Sequence, residues 1–209
     1  MMWRRPAPSA LPEIEPLALV PRAQPFDDPA FQFEPQYAGA RALLYLRGPA
    51  AWFQSLRGRA VPELDALAWA LRDQVREDTA ILDGQVVALD ADGKQDPTVT
   101  LRSGAQLHYA VFDVLWRRRT DLRQRPLWSR RVTLERVVPR ATRLLSLVYA
   151  VPEQGRALFR AAERLHYLGI VAKRRTDPYR EGSVWYAIGT REASGRGPFS
   201  VDAGLPRGR

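Results

Sequence analysis

The stretch Phe31-Gln-Phe-Glu-Pro-Gln-Tyr-Ala-Gly-Ala-Arg-Ala-Leu-Leu-Tyr-Leu46 decides the fold. Phe31–Tyr37 and Arg41–Leu46 read as two strands, with Gly39 supplying the turn between them. Outward from this pair, Ala51–Gln54 reads as a third, short strand. Behind Pro62, the residues Leu64, Leu67, Ala68, Leu71 and Val75 recur at helical spacing, which predicts a helix over Glu63–Glu77. Ala80–Leu89 is a strand interrupted at Gly84, Asp90–Gly93 a turn, and Leu107–Trp116 a largely apolar, buried strand. Ser129 caps a helix running to about Val138. A strand over Leu144–Val151 precedes a helix over Pro152–His166, with Leu158, Phe159, Ala162 and Leu165 on one side. Leu168–Lys173 and Val184–Ile188 are the last strands. Strands and helices mix without a βαβ alternation, so the fold class is α+β with mainly antiparallel sheets.

The division this implies is a Pro-rich, extended lead-in over residues 1–25, one domain over 26–190 and a flexible, polar tail over 191–209. With 209 residues, 45% of them hydrophobic, the chain is long enough to bury a core. No apolar run reaches the length of a membrane span, and the basic start Met1-Met2-Trp3-Arg4-Arg5-Pro6 has no apolar stretch behind it. A cytoplasmic protein without a membrane partner is expected. The absence of cysteine excludes disulfides, and two distant histidines, His108 and His166, give no zinc pattern, so no metal is expected.

The net charge is +9, and only Lys94 and Lys173 are lysines. Ten arginines between Arg117 and Arg143 face only Asp121 and Glu135. This run has two readings: a surface for a polyanion, most simply nucleic acid, or a solvated basic face. On the first reading Arg117, Arg118, Arg119, Arg123, Arg125, Arg130 and Arg131, with Trp116 and Trp128 interleaved, contact DNA phosphates.

Successive blocks resemble the signature motifs of ATP-dependent DNA ligases, most nearly the bacterial end-joining type. Glu34-Pro-Gln-Tyr-Ala-Gly-Ala-Arg41 is similar to E-x-K-x-D-G-x-R, and Pro25-Phe-Asp-Asp-Pro29 to its usual lead-in. Ser55-Leu-Arg-Gly58 resembles S-R-x-G, and Leu82-Asp-Gly-Gln-Val-Val87 resembles D-G-E followed by two hydrophobic residues. Leu107–Leu115 resembles the strand whose Phe stacks on adenine. Leu168-Gly-Ile-Val-Ala-Lys173, continued by Arg174–Tyr179, resembles E-G-x-V-x-K, and Val184–Gly189 sits where W-x-K-x-K belongs. The likeness spans roughly residues 15 to 190 and implies an adenylation, or nucleotidyltransferase (ATP-grasp-like), domain. That fold has two antiparallel sheets flanked by helices, with ATP held between the sheets. The OB-fold domain that usually follows is not expected here.

The resemblance also implies what the site has lost. The nucleophilic lysine that becomes AMP-lysine falls at Gln36, whose amide nitrogen has no available lone pair. The aspartate two residues on is Ala38, the glutamate of the D-G-E block is Gln85, and the metal-holding glutamate is Leu168. The two phosphate lysines are Ala187 and Gly189, and the S-R-x-G arginine reads as Leu56. Arg41, Phe112 and Lys173 remain as a residual nucleotide pocket, with Trp185 as a retained aromatic.

Each retained residue also has a plain packing role open to it. Phe112 reads as core or as base platform, and Arg41 as a ribose-side group or as the partner of a carboxylate such as Glu34. Asp83 and Asp113 read as local turn or strand-end pairs, Gly39 and Gly84 as turn or bulge residues, and both histidines as ordinary. Three cationic and three anionic positions have become neutral together, which is what removing a whole charge network looks like. A charged cluster from elsewhere in the chain filling the pocket would overturn that reading. The function expected is that of a catalytically degenerate, non-catalytic DNA-binding or repair-associated factor, needing no cofactor. An active ATP- and Mg²⁺-dependent ligase with a displaced nucleophile, and a docking partner of another repair protein, are the alternatives.

Overall fold

The computed structural model describes residues 11–90, 95 and 106–190, and gives an α+β domain. Its strands are β1 (Leu19–Pro21), β2 (Asp28–Gln36), β3 (Gly39–Arg47), β4 (Ala50–Ser55), β5 (Thr79–Leu89), β6 (Gln106–Arg117), β7 (Thr120–Asp121), β8 (Leu145–Leu147), β9 (Val151–Glu153), β10 (Gly169–Arg174) and β11 (Trp185–Gly189). The helices are α1 (Asp65–Arg72), preceded by a 3₁₀ turn at Pro62–Leu64, α2 (Leu127–Val137) and α3 (Gly155–Arg164). One sheet has the order β1-β11-β10-β2-β9, the other β4-β3-β5-β6-β7, with β8 also on β6. Pairing is antiparallel except for two short parallel additions, β1 on β11 and β8 on β6.

The alternation of side chains on the strands produces four layers. On β3, Ala42, Leu44 and Leu46 face a core shared with α1 and α2, while Leu43 and Tyr45 face the other sheet. Val171 and Trp185 from the first sheet meet Ile81, Phe112 and Leu115 from the second in that central layer. On the outer side of the first sheet, Phe31, Phe33, Ile170 and Ile188 pack with Ala162 of α3. The pocket described below lies between the two sheets.

Several boundaries depart from the sequence reading. The helix expected over Glu63–Glu77 is α-helical only from Asp65 to Arg72. The second helix starts at Leu127 rather than after a Ser129 cap, because its first free N–H groups are satisfied from outside the helix. Leu127 N donates to Asp177 O and Trp128 N to Arg175 O, each at 3.0 Å. Pro152 opens no helix: it lies in the edge strand β9, where a missing N–H is tolerated. The strand expected over Leu144–Val151 breaks after Leu147. Within the stretch read as lead-in, Ile14 is buried and Leu19–Pro21 joins a sheet. Thr190, the last residue of the expected domain, is buried and donates to Tyr167 O. The tail over 191–209 and all but Asp90 of the expected turn Asp90–Gly93 lie outside the described residues.

Two glycines owe their place to close approach. Gly39 opens β3 rather than making the turn, and a Cβ there would lie 2.4 Å from Val86 O. Gly84 sits at a register shift, where a Cβ would meet Ala110 O and the Tyr109 ring at 2.7 Å. Gly84 pairs with Val111 and Asp83 with Asp113, so Phe112 is the extra residue of a bulge.

Candidate nucleotide pocket between the sheets

Three cross-strand rows of the first sheet carry the motif-like positions. Gln36, Gly169 and Gly189 are in register, then Glu34, Val171 and Ala187, then Gln32, Lys173 and Trp185. The second sheet contributes Arg41, Gln85 and Phe112. Of these, Glu34, Gln36, Val171, Lys173, Trp185, Arg41, Gln85 and Phe112 line a cavity of about 450 Å³, together with Pro16–Leu19 and Leu56. Arg41, Phe112 and Lys173, the three residues read as a residual pocket, therefore converge on one space. Its charged lining residues are Glu34, Arg41 and Lys173, all within the motif-like blocks.

The deep end is an interlocked set of buried groups. Arg41 binds Asp83 through two nitrogens, at 3.1 and 2.7 Å, and donates to Leu17 O at 2.5 Å. Tyr179 Oη donates to Asp83 Oδ2 at 2.7 Å. Burial alone would lower the Arg41 pKa, but Asp83 and Tyr179 outweigh it and raise the value. The Tyr179 phenol is pushed well above its usual range by burial, then by Asp83. Beside this group, Lys173 Nζ donates to Glu34 Oε2 at 2.5 Å and lies 4.0 Å from the ring centroids of both Phe112 and Trp185. Gln32 Nε2 donates to the other Glu34 oxygen at 2.7 Å. Burial lowers the Lys173 pKa, with Glu34 opposing. Two cations and two carboxylates thus cancel within the pocket.

Two readings of the carboxylates are corrected here. Arg41 pairs with Asp83, and Glu34 belongs to Lys173. Asp113 makes no local pair with a side chain: it holds Arg130, with both side chains fully buried. Pairing partners so far apart in sequence leave no local signal, although the D-G-E block already placed Asp83 among family positions.

The open end is uncharged. Gln36, Ala38, Gln85 and Ala187 are half-buried, and Gly189 and Leu56 are exposed. Gln85 makes contacts that a glutamate could not: its Nε2 donates to Tyr37 O at 3.0 Å and to Gly39 O at 3.3 Å, tying down the β2–β3 turn. Ala38 N donates to Gln95 Oε1 at 2.8 Å. Leu168 is buried, with its N–H on Gln36 O.

The arginine run divides. Arg130 is wholly buried on Asp113, Arg125 O and Asp177 O, so it is a structural residue and no phosphate contact. Arg131 donates to Phe112 O and Val148 O. Arg117 and Arg118 share Glu77, and Arg123 holds Asp121. Arg118, Arg119 and Arg125 are exposed.

The family model of the ATP dependent DNA ligase domain matches residues 21–188. The chain belongs to the ATP-dependent DNA ligase family. It is 29% identical over 171 residues to a DNA ligase of Thermococcus fumicolans, covering 72% of this chain and 30% of that protein. To a probable DNA ligase of Anaeromyxobacter dehalogenans it is 33% identical over 170 residues, covering 72% and 32%. It spans about a third of the length of these curated relatives. Among solved structures, mycobacterial DNA ligase D complexed with ATP and MES matches with a TM-score of 0.68 at 25% identity, over 83% of this chain and 59% of that one. The ligase domain of Mycobacterium tuberculosis LigD matches with a TM-score of 0.65, over 82% and 60%. The ligase nucleotidyltransferase fold expected from the motif-like blocks is therefore the fold observed. Among the described residues, no helix is long and apolar enough to cross a membrane, and no cluster of acidic or histidine side chains suits a metal ion.

Proposed function

We propose that this member of the ligase family forms no covalent AMP-lysine and works in nucleic-acid repair as a binding factor. The observation that carries the reading is Gln36 on the pocket wall, at the place the family motif gives to the lysine nucleophile. A carboxamide nitrogen shares its lone pair with the carbonyl and does not attack phosphorus. The surrounding charge supports the same view. A triphosphate with its metal calls for several uncompensated cations and a carboxylate ligand. The cations here are already neutralised by Asp83 and Glu34, and Leu168, Ala187 and Gly189 bring neither charge nor metal ligand. ATP with Mg²⁺ is a poor fit to this donor set.

Lys173 does not replace the missing nucleophile. Its ammonium is held by Glu34 between two aromatic rings, whereas in-line attack needs a free amine beside the α-phosphorus. Nucleic-acid binding follows from the net charge of +9 and the exposed Arg118, Arg119 and Arg125, which suit phosphate contacts without sequence preference. The test is anisotropy of labelled nicked duplex DNA across a salt series. Affinity falling steeply with salt supports the reading, and affinity independent of salt contradicts it.

A further inference from the structure

Helix α2 has two apolar sides. Leu127, Leu134 and Val137 are buried beneath it together with Arg130. Trp128, Val132 and Glu135, spaced i, i+4 and i+7, lie on another face. Trp128 is 52% and Val132 44% exposed. Across from them Tyr149, in the β8–β9 connection, is 70% exposed. These three residues, of seven large exposed hydrophobics among the described residues, line a single groove of about 590 Å³, with Arg131, Arg175 and Glu135 as its charged lining. Scattered apolar side chains need no account, but a cluster with concave shape marks a binding surface.

The groove is prebuilt. Trp128 N donates to Arg175 O at 3.0 Å, which fixes the backbone of Trp128 against that of the exposed Arg175. Val148 N donates to Val111 O, and Val148 O accepts from Arg131 Nη2 at 2.8 Å, which fixes the backbone next to Tyr149. Both aromatic side chains are thus carried on anchored backbone, and little ordering remains to be done when something binds.

We infer that this groove is a single-stranded nucleic-acid site, in which unpaired bases stack on Trp128 and Tyr149 while Arg175 meets the backbone phosphate. Stacking on exposed aromatics beside cations is how strands are held without sequence readout, and it requires bases freed from pairing. The strong positive charge of the chain favours a polyanion over an acidic peptide. A peptide strand finds little to pair with, because the neighbouring sheet edge, β9, is three residues long and its central Pro152 has no N–H to offer. This inference rests on the nucleic-acid reading above and sharpens it: the unpaired tail, rather than the duplex, engages the groove.

The experiment is a binding titration of the whole chain with a short labelled single strand, a blunt duplex and a duplex with an unpaired tail. It is repeated for Trp128→Ala/Tyr149→Ala and for Trp128→Phe/Tyr149→Phe. The alanine pair should lose single-strand and tail affinity by about 10- to 100-fold while blunt-duplex affinity changes less than about threefold, and the phenylalanine pair should keep most of it. Both aromatics are exposed, so unchanged thermal melts show that the variants fold. Unchanged single-strand affinity in the alanine pair, with duplex binding intact, overturns the groove assignment and leaves the nucleic-acid reading standing. A chain that binds neither single strand nor duplex overturns both.

Discussion

The two ends of the inter-sheet pocket differ in how their side chains are partnered. At the deep end every charged group has a buried partner: Arg41 with Asp83, which also accepts from Tyr179, and Lys173 with Glu34, which also accepts from Gln32. At the open end the positions that the family motifs make ionic are Gln36, Ala38, Gln85, Ala187 and Gly189. Removing one member of a buried pair strands the other at a cost of several kcal/mol, whereas a charge near solvent is lost with little effect on folding. Deep charges are therefore kept by stability whether or not chemistry needs them. The retained Arg41 and Lys173 are accordingly poor evidence of activity, and the open end is the part of the site that reports on function.

The difference is testable, beginning with its largest effect. Asp83→Ala leaves the Arg41 guanidinium and the Tyr179 hydroxyl without their partner, and should cost about 3–5 kcal/mol in denaturant unfolding. Lys173→Met leaves the buried Glu34 only Gln32 and the more distant Arg131, and should cost about 3 kcal/mol. The double variant Glu34→Gln/Lys173→Met should recover at least about 1 kcal/mol relative to additivity. Gln85→Glu takes away the donor to Tyr37 O and Gly39 O and sets a carboxylate against two carbonyls. A loss of about 1–3 kcal/mol is expected, with no gain of nucleotide affinity by calorimetry. Gln36→Lys, at the half-buried open end, should shift stability by less than about 0.5 kcal/mol.

The smallest effect is a pH dependence at His108, away from the pocket. Burial lowers its pKa from the usual 6.5, and it bonds to Ser146 Oγ and Arg143 O. The unfolded chain then binds the proton first, so this contribution is complete above about pH 6.5 and declines as pH falls towards the folded pKa. The decline should be absent from unfolding curves of His108→Gln.

Legibility in the sequence follows the same divide. The strands of the central layer were readable because alternation and apolar runs are local, and the motif spacing placed Arg41, Phe112 and Lys173 together. The ion pairs were not readable. Asp83 and Arg41 are 42 residues apart and Lys173 and Glu34 are 139 apart, so only folding selects which carboxylate meets which cation. Arg130 shows the limit of composition: it sits in an arginine-rich run, yet Asp113 draws it wholly inside. The parallel strand Leu19–Pro21 left no signal either, being three residues long and flanked by prolines.

Self-adenylation decides whether Gln36 has ended the covalent step. The purified chain, Gln36→Lys and a catalytically intact ligase are incubated with α-labelled ATP and Mg²⁺, denatured and examined for covalent label. Label is expected on the intact ligase and none on this chain, with the lysine variant also unlabelled because its phosphate and metal positions stay neutral. Covalent AMP on the native chain, mapped to Lys173 or Lys94, would contradict that expectation.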